Sequence, residues 1–171
     1  YRTRGDPKKS REVTERALQI ASGAGYVRMQ CISLFNLAEL EYEAGNLATA
    51  IELVDTGLDK LEAMGGNFKN VAVMLAYRAM MKAQTGDIDG MRRDLARSKQ
   101  VMDAASNRGA WHVQALCYRG RAEVFARDLK AARTSLQSAL GLTRELGPNT
   151  LGRVAEQVDM LQDTIQSQSD R

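Results

Sequence analysis

Leu47, Ala50, Ile51, Val54, Leu58 and Leu61 recur at steps of three and four residues, which lines them up on one face of an α-helix. The same rhythm, interrupted by short polar punctuation, predicts helices over 8–22, 26–44, 47–64, 68–85, 88–105, 110–126, 129–146 and 150–166, with no strand. Asn46, Asp87 and Asp128 each precede a helix, where a side-chain oxygen can accept from its free amides. Gly65-Gly66-Asn67, Ser106-Asn107-Arg108-Gly109 and Gly147-Pro148-Asn149 supply stop signals. The last predicted helix carries a stripe of Leu151, Val154, Ala155, Val158, Leu161 and Ile165, which must cover something, either as a cap or as an occupant of a groove. Beyond it, Gln166 to Arg171 is polar and aperiodic, so fraying is expected.

The helices repeat. Leu34, Ala38, Gly45, Asn46, Leu47, Ala50, Val54 and Gly57 fall in register, 41 residues on, with Leu75, Ala79, Gly86, Asp87, Ile88, Met91, Leu95 and Ser98. A further 41 residues brings Leu116, Gly120, Arg127, Asp128, Leu129, Ala132, Leu136 and Ala139. A fixed period of this size predicts stacked helical hairpins, because one hairpin cannot bury its own apolar face. Gly5-Asp6 and Ala17-Leu18 mirror Gly45-Asn46 and Gly57-Leu58, so the first helix reads as the second helix of an earlier repeat. One domain over 1–171 is expected: a partial repeat at 1–25, repeats at about 26–66, 67–108 and 109–148, and a C-terminal helix at 149–166. The mid-repeat opening and the absence of an initiating Met predict a fragment of a larger protein.

Composition agrees with an all-α class, since residues that lose little entropy in a helix dominate and only 2 Pro are present. A net charge of +3 with both signs interspersed argues against a nucleic-acid partner. Cys31 and Cys117 lie two repeats apart, too far for a disulfide, and read as reduced thiols of a cytoplasmic protein. No apolar run reaches the roughly 20 residues that span a bilayer.

Small residues at Ala38, Ala79 and Gly120, at Ala50 and Ala132, and at Gly57, Ser98 and Ala139 flank each turn at fixed distances. This arrangement resembles the tetratricopeptide repeat, in which small residues let helices approach closely. The period is 41 rather than about 34, Arg78 and Arg119 stand where that family has an apolar residue, Arg127 replaces a turn glycine, and no Pro closes a repeat. Phrases such as Asn36-Leu37-Ala38-Glu39-Leu40-Glu41 followed by Ala44-Gly45-Asn46-Leu47 are similar to the extended repeats of bacterial multidomain regulators with ATPase, LuxR-type or winged-helix domains. The resemblance implies a right-handed superhelical array of antiparallel helix hairpins, a TPR-like α-solenoid, serving as the signal-receiving part of such a regulator.

The resemblance also implies a concave surface lined by first helices. Mapped onto this chain, it holds Phe35, Glu39, Tyr42 and Glu43, then Met80 and Gln84, then Cys117, Arg121 and Phe125. That mixture suits an apolar peptide or helix anchored by one or two charges. The family's two-carboxylate clamp is not expected, because its places hold Phe35, Glu39, Tyr77, Gln114 and Tyr118. Self-association through exposed repeat ends is an alternative, as is a small-molecule pocket lined by Tyr77, Met80 and Tyr118.

Other constellations carry less. Arg92, Arg93, Arg97 and Lys99 read as a solvated helix face diluted by Asp94 and Asp103. His112 is the sole histidine and has no cysteine beside it to make a metal set, nor a nucleophile near it in sequence. Gly23-Ala24-Gly25 and Gly65-Gly66 lack the Lys-Ser/Thr of a phosphate loop. No enzyme activity, cofactor or metal is expected.

Overall fold

The computed structural model describes residues 6–65, 69–147 and 154–169. Among them the chain is all-helical: α1 (Pro7–Gly23), α2 (Val27–Glu43), α3 (Leu47–Ala63), α4 (Lys69–Thr85), α5 (Ile88–Asp103), α6 (Ala110–Phe125), α7 (Leu129–Leu146) and α8 (Val154–Ser169). The helix bounds read from periodicity lie within a few residues of these. Gly66, Asn67, Pro148, Asn149 and Leu151, named above as stop signals or stripe residues, fall outside the described residues.

The turns repeat as the helices do. Gly45, Gly86 and Arg127 all take positive φ, at 85°, 87° and 61°. The next amide in each case bonds back to the carbonyl five residues earlier: Asn46 to Glu41, Asp87 to Lys82 and Asp128 to Glu123, each at 2.9 Å. Such a left-handed residue closes the helix by satisfying its last carbonyls. Glycine enters that region freely, whereas Arg127 does so against its own Cβ.

Asp87 and Asp128 cap as expected, accepting from Gly90 N at 2.8 Å and Ala131 N at 3.0 Å. Asn46 does not; its amide donates to Glu41 Oε2 at 2.7 Å instead. An amide carries a donor that an aspartate lacks, and a nearby carboxylate is the stronger partner for it. Asp6, its counterpart before α1, does cap, accepting from Lys8 N and Lys9 N.

The chain divides into two compact units, Tyr1–Asn67 and Phe68–Arg171, where the sequence reading expects one continuous domain. In the first unit, α1 packs along α2 and α2 forms a hairpin with α3. Arg11 of α1 reaches Glu41 of α2 at 2.6 Å. In the second unit, α4 pairs with α5, α6 pairs with α7, α4 lies beside α6, and α8 packs on both α6 and α7.

A single contact point recurs in the hairpins. The Cys31 thiol donates to the Gly57 carbonyl at 3.4 Å, and one repeat later the Ser98 hydroxyl donates to the Ala72 carbonyl at 2.8 Å. In the third hairpin the same two positions are Val113 and Ala139, both buried in one apolar cluster. The small residue on the second helix therefore marks where it crosses the first, whichever partner donates.

The last helix runs on to Ser169, so the polar residues Gln166 to Ser169 extend it rather than fray. Its Val158 joins Val113, Cys117, Ala139 and Leu142, while Leu161 and Ile165 join Val124 and Ala132. Gly120 is glycine because Leu161 sits on it: a Cβ there would lie 2.6 Å from Leu161 Cδ2.

Candidate functional site

Of the expected groove residues, Phe35, Glu39 and Tyr42 are half-buried on α2 and Glu43 is exposed. Spaced at 35, 39 and 42, the first three share one face of that helix. In the second unit Gln84 is exposed on α4, Arg121 is half-buried on α6, and Phe125 is 38% exposed.

Two assignments are corrected. Met80 and Cys117 are fully buried, at 0% exposure, and neither can meet a partner. Cys117 lies beneath α8, and burial pushes its thiol up to about 12. Met80 belongs to α4, where buried residues occupy every face from Val71 to Tyr77 and again from Ala79 to Met81. Around Met80 the helix is apolar on all sides and offers a partner no face, which its periodicity could not say. Tyr77 and Tyr118, expected to line a pocket, are buried against each other with ring centroids 4.8 Å apart. They fill space instead of enclosing it.

The polar groups that sequence reasoning missed are clasps between helices. Asp94, buried on α5, is held by Arg78 through two bonds of 2.8 and 2.6 Å and by Lys82 at 2.9 Å. One repeat later Arg119 pairs with Glu123 at 2.8 Å, and Ser135 of α7 donates to the same carboxylate at 2.6 Å. Arg78 and Arg119 thus each serve a buried carboxylate. The available signal was the register itself. Leu37, Arg78 and Arg119 share one position and Leu53, Asp94 and Ser135 share another, so polarity changes together on both helices.

A cleft of about 410 Å³ opens over the second clasp, lined by Arg119, Glu123, Asp128, Lys130, Thr134 and Ser138 among others. Its hydroxyls are turned inward: Thr134 donates to the Lys130 carbonyl and Ser138 to that of Thr134. Ser135 and Glu123 do not make a catalytic pair. Both oxygens of the Glu123 carboxylate are engaged, by Arg119 and by Ser135, and His112 stands three turns away on the same helix, about 16 Å along its axis.

His112 is instead a structural joint. Its Nδ1 accepts from the Gly109 amide at 3.3 Å, and Nε2 faces the Met102 carbonyl at 3.4 Å, tying the start of α6 to the end of α5. The Trp111 ring stacks on it at 3.6 Å between centroids. Desolvation by burial holds its pKa below the ordinary value, the Met102 bond opposes this, and the charge of Arg108 adds to the lowering. Glu41 is held below the usual carboxylate range by its hydrogen bonds from Asn46 and Arg11.

Arg92, Arg93, Arg97 and Lys99 are exposed, with Arg92 on Asp89 and Lys99 on Asp103, as a solvated face would have it, but Asp94, expected to dilute that face, is buried against Arg78 and Lys82 instead. No group of three or more His, Cys, Asp or Glu side chains suited to a metal ion occurs among the described residues. No described helix is long and apolar enough to cross a membrane. Comparison with family models, curated proteins and solved structures finds no match for this chain.

Proposed function

We propose that this chain is a non-enzymatic helical-repeat interaction module, binding an amphipathic helix or peptide of a protein partner on the exposed face of its first helices. The observation that carries the reading is the 41-residue register, in which turns, crossing points and clasps recur at matching positions. Repeats that stack in this manner present extended surfaces on which binding does not disturb the core. In the proposed TPR-like superhelical array, the concave side of the first unit would carry Phe35, Glu39, Tyr42 and Glu43, and that of the second unit Gln84, Arg121 and Phe125. Aromatic anchors flanked by charges of both signs suit a helix with an apolar stripe and one or two ionic contacts. The role proposed for such a module is reception of a protein signal within a cytoplasmic bacterial regulator.

Selection of a binding peptide from a displayed library of amphipathic helices tests this reading. Phe35→Ala, Tyr42→Ala and Phe125→Ala are each expected to weaken the selected peptide about tenfold, or roughly 1.4 kcal/mol, with thermal unfolding and circular dichroism nearly unchanged. Equal affinity for all three variants would remove this surface from consideration.

A further inference from the structure

We propose that the cleft between α6 and α7 is a binding site for an alkylguanidinium group, the chemistry of an arginine side chain or of a small arginine-like molecule. It lies within the second unit and stands apart from the surface residues assigned above to a peptide partner.

The floor of the cleft is the second clasp, where Arg119 and Ser135 engage both oxygens of Glu123. Arg119 and Glu123 cancel each other's charge, so neither decides what enters. Beside them α7 turns one face to the cleft, with Lys130, Ala131, Thr134 and Ser138 at steps of three and four residues. Thr134 gives its only hydroxyl hydrogen to the Lys130 carbonyl at 3.1 Å, and Ser138 gives its own to the Thr134 carbonyl at 3.0 Å. A hydroxyl whose hydrogen is committed can only accept from a ligand. Asp128 adds a carboxylate, whose Oδ1 takes the Ala131 amide and whose Oδ2 is left to accept. The lining is therefore rich in acceptors, and its complement is a donor.

A guanidinium carries five N–H donors in one plane and no acceptor. An anion finds no such match, because the hydroxyl hydrogens are already spent on the backbone. Leu116 and Ala131 give the same cleft an apolar surface for an aliphatic stem, and its volume of about 410 Å³ is that of a small-molecule site. Lys130 is the lining charge that opposes a cation; it is exposed, and its flexible stem lets the ammonium swing to water.

The repeat itself shows the complement. One repeat before Thr134 and Ser138, at the same positions of α5, stand Arg93 and Arg97. Where α5 carries two guanidinium groups of its own, α7 has short hydroxyls and a cleft beside them. A guanidinium bound there puts back from outside what the preceding hairpin holds in its sequence.

Titration of the isotope-labelled full chain with butylguanidinium, read by amide NMR shifts, tests the proposal. Saturable shifts are expected at Lys130, Ala131, Thr134 and Ser138, with butylammonium and the neutral butylurea each binding about tenfold more weakly. Lys130→Gln removes the opposing charge and should tighten butylguanidinium about threefold. Ser138→Arg fills the cleft from within, as Arg97 would at that position, and should abolish the shifts with helicity unchanged by circular dichroism. Thr134→Arg does the same from the neighbouring turn and serves if the first variant loses helicity. Free arginine and N-acetylarginine amide then separate the two sources: tighter binding of free arginine supports a small-molecule site, and equal or tighter binding of the capped form supports a site for a polypeptide side chain. The absence of saturable shifts with butylguanidinium overturns the proposal, as do shifts that persist once the cleft is filled, or butylurea binding as tightly as butylguanidinium.

Discussion

The hairpins α4/α5 and α6/α7 put charge at matching positions and wire it in opposite ways. In the first, the carboxylate is Asp94 on the second helix, and the cations Arg78 and Lys82 reach across from the first. In the second, the carboxylate is Glu123 on the first helix, held by Arg119 along the same helix and by Ser135 from across the hairpin. One fold position therefore accepts either polarity, provided that the pair changes together. The α2/α3 hairpin shows a third solution, with Leu37 and Leu53 at these positions and the buried Glu41 paired with Arg11 of α1. What the repeat requires there is a matched pair, and ionic chemistry is one way to supply it.

The largest break in this comparison is Asp94→Ala, which strands two cations at a largely buried position and should cost about 3–5 kcal/mol in urea unfolding. Arg78→Leu together with Asp94→Leu copies the first hairpin, and should recover most of that loss. A cost for the double variant equal to that of Asp94→Ala would show that the first hairpin's solution does not transfer. Ser135→Asp comes next: it sets a second carboxylate against Glu123 and should destabilise by about 3 kcal/mol. Adding Glu123→Lys rebuilds the α4/α5 arrangement, with Arg119 and the new lysine facing the new aspartate, and should return stability close to the parent. Additive losses in that double-mutant cycle would mean that the two hairpins are not interchangeable at this site.

The joint between these hairpins answers to pH. His112 is held neutral in the fold, whereas an unfolded histidine titrates near 6.5. Below that value the unfolded chain binds the extra proton first. The stability contribution is thus complete above about pH 6.5 and declines as pH falls through the folded pKa, by at most about 1.4 kcal/mol per pH unit. The midpoint of urea unfolding should fall between pH 7.5 and 5, and a His112→Asn variant should lose most of that dependence. The smallest difference lies in the turns: Arg127→Gly gives the third turn the residue that Gly86 provides in the second, and should stabilise by about 1 kcal/mol in thermal unfolding.

Much of the fold was legible because its signals are local. Stripes such as Leu47 to Leu61, the caps Asp87 and Asp128, and the turn residues Gly45 and Gly86 each act within one helix or one turn. The clasps were less legible, since Arg78 and Asp94 lie 16 residues apart on different helices and neither alone distinguishes a buried pair from a solvated charge. Met80 and Cys117 were misplaced for a related reason. A first helix packs on several neighbours at once, so its apolar residues carry no mark of which face remains open. Asn46 looked like Asp87 and Asp128 in sequence, and only the proximity of Glu41 redirected its amide.

The opposed wiring has a consequence for how a self-similar chain finds its own partners. If α5 folded against α6, Asp94 would meet Glu123, two carboxylates at one buried point. If α7 folded against α4, Arg78 and Lys82 would meet the neutral Ser135. Both exchanges are penalised, whereas the apolar ridges and small crossing residues of the two hairpins would tolerate either. The clasps thus act as an address, telling each second helix which first helix is its own in a sequence where almost every other position says the same thing.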